Sequence, residues 1–339
     1  MSSLIAVALL TAMLSTLVPS LAAAQSKTGT TTGQFLLIEP SARIAGMGNA
    51  GVAILEGIQS VWYNPAAIGR LDKWSVQLTH SEWLADIDYN YAALSIPVKG
   101  VGTFLASMTS LGSGDIAVRT VSQPLGTGER FNVSNLALSA GYGHALTERF
   151  AAGFQINYVE ETIWHSSLRT VTFNVGTVYR ITDIGLELGS SLSNFGTGGQ
   201  YDGRDLRIEF DQDPTRYGDN SSLPAEHFTE EFPVPVVFRV GVAWPHQMNE
   251  DSRLLLAADA FHPNDNTGGL NLGGEWSWKE TLGVRAGYQD IGQEDSEVGF
   301  TLGGGVQGVL DNHDFSFDYA WADQGRLSDT HRMSFVVMF

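Results

Sequence analysis

Residues of alternating character recur along this chain in segments of about ten, and that period constrains the fold more than any other feature. In Phe315 to Trp321, Phe315, Phe317, Tyr319 and Trp321 share one face, and Ser316, Asp318 and Ala320 share the other. Val234, Val236, Phe238, Val240, Val242 and Trp244 oppose Arg239 and Gly241. Leu270, Leu272, Trp276 and Trp278 oppose Asn271, Glu275 and Ser277, and Val298, Phe300, Leu302 and Val306 oppose Thr301 and Gln307. A soluble sandwich also alternates, but its strands are typically about 5–6 residues. About ten residues is what a tilted strand needs to cross a bilayer. Aromatic residues fall at segment ends (Trp74, Trp83, Trp244, Trp276, Trp278, Trp321), where interfacial girdles are expected. The mean hydropathy of −0.03 agrees, because lipid-facing and lumen-facing residues cancel in a window average.

The expected fold is therefore all-β, a 14-stranded antiparallel transmembrane β-barrel. Its strands are expected at 73–84, 87–97, 101–110, 131–144, 149–162, 166–180, 184–193, 233–244, 253–262, 268–278, 281–290, 297–309, 313–322 and 330–339. Connections after even-numbered strands are mostly short and those at 111–130, 194–232 and 291–296 are long, a tendency that the short outer connections 85–86 and 163–165 interrupt. Short periplasmic turns and long extracellular loops would give that parity, with Lys73, Lys99 and Lys279 on the periplasmic side. The last segment, in which Met333, Phe335, Val337 and Phe339 alternate with Arg332 and Ser334, closes on an aromatic residue. It is expected to pair with the first strand and remove the open edges.

Residues 1–24 read as a signal peptide, with an apolar core from Ile5 to Val18 and a small-residue cleavage site at Ala22 to Ala24, before Gln25. This leader has no Lys or Arg before its core, so either the true start lies elsewhere or the amino terminus supplies the charge. Export to the cell outer membrane of a Gram-negative-type bacterium follows as the expected location. Residues 25–72 form an N-terminal segment, and 73–339 the barrel. Within 34–70, small residues dominate from Gly46 to Ala53, and Asn64 and Pro65 favour a turn. A lumen of this width needs filling, so a hatch or plug is expected there.

The run Ser41 to Ala50, SARIAGMGNA, followed by Trp62 to Ala66, WYNPA, resembles the N-terminal signature of PorV/PorQ-type outer-membrane proteins of the FadL-like barrel superfamily. Phe317 to Ala320, Leu327 and Thr330 to Arg332 resemble that family's C-terminal run, and Glu231 to Gly241 its mid-barrel strand. Leu327-Ser328 departs from the usual Leu-Gly. The resemblance spans about 35–339. It implies that Arg43, Gly46, Met47, Gly48, Asn64, Pro65 and Ala66 lie in the hatch, either packing it or contacting a ligand. It implies a cargo-binding barrel acting in type IX-like protein secretion, with secreted cargo or secretion-system components as partners. The alternative it carries is a FadL-like channel for hydrophobic small molecules, with a hydrophobic ligand. Phe335, Val337 and Phe339 would form the C-terminal signal read by the barrel-assembly machinery, with outer-membrane lipid around the wall.

Strand parity points Arg239, Asp259, Glu275 and Arg285 inward from four successive strands, with Glu187 and Asp318 elsewhere on the wall. They would anchor the hatch, line a conduit, or merely pair with one another. The 200–231 stretch is acidic (Asp202, Asp205, Glu209, Asp211, Asp213, Asp219, Glu226, Glu230, Glu231), but the spacing of a calcium loop is missing. The absence of Cys excludes disulfides and a Cys nucleophile, and the net charge of −18 argues against nucleic acid. His80, His144 and His165 have no nucleophile motif around them, so no enzyme, cofactor or metal site is expected.

Overall fold

Strand after strand turns its apolar face outward and buries its polar one, the reverse of a soluble domain. The computed structural model describes residues 29–182, 184–213, 215, 222–293 and 296–339. The leader at 1–24 and part of the acidic stretch, Asp219 included, lie outside the described residues.

Fourteen antiparallel strands form the wall. They are β1 Ser75–Glu82, β2 Asp88–Val98, β3 Gly102–Gly112, β4 Val133–Ala145, β5 Phe150–Ile163, β6 Ser166–Ile181 and β7 Leu186–Gly196. The second half holds β8 Val237–Asn249, β9 Ser252–Pro263, β10 Gly269–Trp278, β11 Leu282–Ile291, β12 Phe300–Leu310, β13 His313–Ala322 and β14 Thr330–Met338. Each pairs with its neighbours in sequence, and β1 pairs with β14 from Ser75↔Met338 to Glu82↔His331. The sheet is closed, so no edge is left to be satisfied in lipid. The terminal Phe339 extends the seam: its N–H donates to the Trp74 carbonyl at 2.8 Å, and its ring meets His313 edge-on.

Leu78, Phe104, Met108, Phe154, Phe173, Phe238, Leu272, Leu302, Phe317 and Phe335 are exposed on the outer surface. Gln77, Thr79, Asn157, Thr172, Glu275 and Asp318 are buried on the inner one. A belt of this kind is stable only where hydrocarbon surrounds it. Trp74, Trp244, Trp276 and Trp278 are exposed near one end of the wall. Trp83 is a correction. It follows the inward run Ser75, Gln77, Thr79, Ser81, so period-2 geometry turns it into the lumen, where it packs against the internal core.

Connections 99–101, 146–149, 182–185, 250–251, 279–281 and 311–312 crowd one end, the turn end. Asp311 and Asn312 both have positive φ (48° and 65°), the backbone of a two-residue primed hairpin. Connections 113–132, 197–236 and 292–299 rise from the other, the loop end. Two short hairpins extend there, Ile116–Ala117 with Arg130–Phe131 and Arg207–Phe210 with Leu223–Glu226.

Candidate functional site: the luminal segment and its end cavities

Residues 31–71 run through the lumen from the loop end to the turn end. At the loop end Thr32 N–H donates to the Pro233 carbonyl, Thr31 and Gln34 donate to Asp265, and Gly33 N–H and the Thr32 hydroxyl donate to Glu161. Tyr89 on β2 reaches the Ile38 carbonyl at 2.9 Å. A helical turn, Ala42–Ala45, follows because Ser41 caps it, its hydroxyl accepting from Ile44 N–H at 3.1 Å. Ala42 N–H donates to Ser334 Oγ on β14. Asn64 caps the next turn, Pro65–Arg70: its Oδ1 accepts from Ala66 N–H, and its amide donates to the Val52 and Thr177 carbonyls. Proline at the start of that turn needs no N–H partner. The segment leaves at Leu71, whose carbonyl accepts from Thr103 on β3.

The wall is built to let this backbone lie directly on it. Gly46 stands against Gly303, so a Cβ at Gly46 would come within 2.9 Å of the Gly303 Cα. Gly48, with φ +63°, fits under Leu272 and Tyr288, where a Cβ would lie 2.6 Å from a carbonyl oxygen. Inward-facing Gly143, Gly153, Gly176, Gly189, Gly273 and Gly287, on six different strands, receive Ile68, Pro65, Asn64, Val52, Met47 and Gly48. Gly303 belongs to the same set; Gly304, beside it, faces open space with only the Gly283 carbonyl near.

Arg43 enters a buried charge network. Its Nε and Nη2 donate to Glu275 at 2.8 and 2.6 Å, and it also reaches Glu56. Arg285 pairs with Glu275 at 2.5 Å and with Asp318 at 2.7 Å, and Asp318 accepts from Gln59 at 2.7 Å. Arg253 on β9 closes the set by pairing with Glu56. Burial alone would raise the Glu56 carboxyl, but Arg43 and Arg253 outweigh it and hold it below the usual range. Three arginines thus balance three carboxylates, joining the segment to four strands. Arg253, Glu56 and Gln59 escaped the sequence reading. Arg253 was recoverable, since it shares parity with Asp259.

The other inward charges stand apart. Asp259 accepts from Val52 N–H at 2.8 Å, and Glu187 pairs with Arg180. The Arg239 guanidinium lies 5.1 Å over the Trp62 ring. Met47 and Ala66 are fully buried. Phe335 and Val337 lie on β14, Phe335 in the exposed belt. In the loops Asp205 accepts from His165 N–H and lies 3.0 Å from its Nδ1. Among the described residues no three His, Asp or Glu side chains gather as metal ligands.

Two cavities flank the segment. The loop-end cavity, about 270 Å³, is lined by Leu37, Glu39, Trp83, Arg239, Phe261 and Arg332 among others. The turn-end cavity, about 350 Å³, lies between Glu56, Arg70, Leu71, Lys73, Arg180 and Met338.

With that geometry, the chain is similar to solved structures of one architecture. A FadL homologue from Pseudomonas aeruginosa superposes with a TM-score of 0.54 at 13% identity, over 88% of this chain and 98% of that one. The Pseudomonas putida toluene transporter TodX gives 0.53 at 13%, over 89% and 98%. The monoaromatic hydrocarbon channel CymD gives 0.52 at 11%, over 89% and 97%. At these identities the likeness shows the fold alone, a closed fourteen-stranded barrel. No protein-family model matches the chain, and no curated protein matches it in sequence.

Proposed function

We propose that this chain is an outer-membrane channel for small, largely apolar molecules, with residues 31–71 as its hatch and the loop end facing outward. The observation that carries it is the mouth: a cavity that sets Leu37, Trp83 and Phe261 beside Glu39, Arg239 and Arg332 stands above a lumen that the segment fills. Water-soluble solutes need an open bore, whereas an apolar solute needs an apolar landing site and a guarded path. The transport named for TodX and CymD agrees with this reading. Secretion of type IX cargo, which the PorV/PorQ resemblance implies, ranks second; no neighbour supports it, though the N-terminal signature of that resemblance, 41–50 and 62–66, sits in the luminal segment. The test is uptake of labelled aromatic compounds by cells with and without the protein. Equal uptake would sink the channel reading, and co-purification of secreted proteins would promote the second.

A further inference from the structure

Charged side chains drawn out of water normally close on a partner, so an opposite pair that shares a cavity without closing leaves room for something between them. The loop-end cavity holds such a pair. Arg239 on β8 is 9% exposed, and its guanidinium lies 5.1 Å over the Trp62 ring. Among the described residues no side chain or carbonyl accepts a hydrogen bond from it, yet its nitrogens are not enclosed. Glu39, from the luminal segment, faces the same cavity and is partly exposed. It feels the charges of Arg332 and Arg239 but closes an ion pair with neither, and among the described residues no other residue donates to it.

The polar groups around this pair are largely committed. Asp265 accepts from Thr31 and Gln34, and Asp290 from Ser296. Asn49 donates to Gln289, and Gln324 to Thr330. Arg332 lies 5.9 Å from the Trp83 ring, and its Nε is closed off from any guest. The charges of the wall decide the charge of the guest. An anion there meets the carboxylates of Glu39, Asp265 and Asp290, and a cation meets two guanidinium groups. A neutral group that donates and accepts at once meets neither obstacle, and a hydroxyl is the smallest that does so.

We propose that the loop-end cavity takes a neutral aromatic molecule bearing a hydroxyl group, which bridges the pair: its O–H donates to Glu39 and its oxygen accepts from Arg239. This rests on the channel reading and narrows the cargo from plain hydrocarbons to phenols. Leu37, Trp83 and Phe261 supply apolar surface for the ring. Size agrees, since 270 Å³ holds about nine groups of water size, a ring with one or two short substituents. Hydrogen bonds to ionised partners are the stronger kind, so the bridge discriminates against the same ring without its hydroxyl.

The probe is labelled 4-ethylphenol, with ethylbenzene, which lacks the hydroxyl, and 4-ethylanisole, which accepts but cannot donate, as controls. Binding is measured by equilibrium dialysis against nanodiscs with and without the full chain, so that partition into lipid is subtracted. The phenol should bind roughly ten- to hundredfold more tightly than either control. Glu39→Leu should erase that preference, whereas Glu39→Gln, which keeps an acceptor, should retain part of it. Glu39 lies in the luminal segment, outside the wall strands, so these variants leave the strand pairing intact. Arg239→Gln is the second variant and should cost the phenol roughly tenfold. Equal affinity for phenol and ethylbenzene, or wild-type preference in both Glu39→Leu and Arg239→Gln, would overturn the proposal. In the cell assay, protein-dependent uptake of ethylbenzene but not of 4-ethylphenol leaves the channel reading standing and removes this inference; uptake of neither removes both.

Discussion

Replacing Glu275 with Gln should free the luminal segment without opening the wall. Glu275 is 3% exposed and accepts from Arg43 Nε, Arg43 Nη2 and Arg285 Nε at 2.8, 2.6 and 2.5 Å. The amide keeps the volume but removes the charge, leaving Arg43 with only half-exposed Glu56. Breaking one partner of a buried pair costs about 3–5 kcal/mol. At about 1.4 kcal/mol per tenfold, the segment's open population should rise by roughly a hundred- to a few-thousandfold. Strand pairing between β9, β10 and β11 runs through the backbone and does not depend on this side chain. Hydrogen exchange of amides in 42–58 should therefore quicken by that factor, while exchange in the wall stays unchanged. The double variant Arg43→Met, Glu275→Met removes both charges together and leaves Arg285 with Asp318 and Glu56 with Arg253, so it should exchange more slowly than the single variant. Wild-type exchange in Glu275→Gln, or a double variant as fast as the single, would refute the view that the network anchors the segment.

Gly153→Ala should lower thermal stability by about 1–3 kcal/mol, read from loss of heat-modifiable gel mobility, because its Cβ would strike the Pro65 carbonyl. Gly304→Ala, on the open outer face, should be close to neutral by the same measurement. Deleting Phe339 should reduce the folded fraction in the membrane, since its backbone bond to Trp74 extends the seam; a deletion within 222–231 should not. The chain has no Cys, so single substitutions report topology cleanly. Gly29→Cys should react with an impermeant maleimide on intact cells and Lys279→Cys only after permeabilisation; the reverse pattern would invert the assigned orientation.

The wall was legible because a strand's period of two is enforced by geometry, and one face must meet lipid. Each of the fourteen expected segments overlaps one strand, with ends displaced by a few residues. The same parity placed Arg239, Asp259, Glu275 and Arg285 on the inner face, and applied one step further would have turned Trp83 inward. The luminal segment was legible only as a place where strands stop. Its conformation depends on contacts hundreds of residues away, such as Ala42 with Ser334, that no local pattern encodes. The seating glycines carried a signal that went unused. A glycine at an inward strand position marks where another backbone approaches, and Gly153, Gly176, Gly189, Gly273 and Gly287 all sit at such positions.

The path of residues 31–71 also bears on the order in which the molecule is made. A cord running the length of a closed ring cannot easily be drawn in afterwards, least of all one held by glycine contacts on so many staves. It must be in place while the gap between β1 and β14 is still open. The segment touches β14 at the gap, where Ala42 reaches Ser334, and β3, two strands in from its other side, where Leu71 reaches Thr103. It can thus serve as the mandrel on which the sheet is rolled, shortening the search by which two strands more than two hundred residues apart find each other. A chain lacking 34–71 should then close slowly, even though every wall strand is intact.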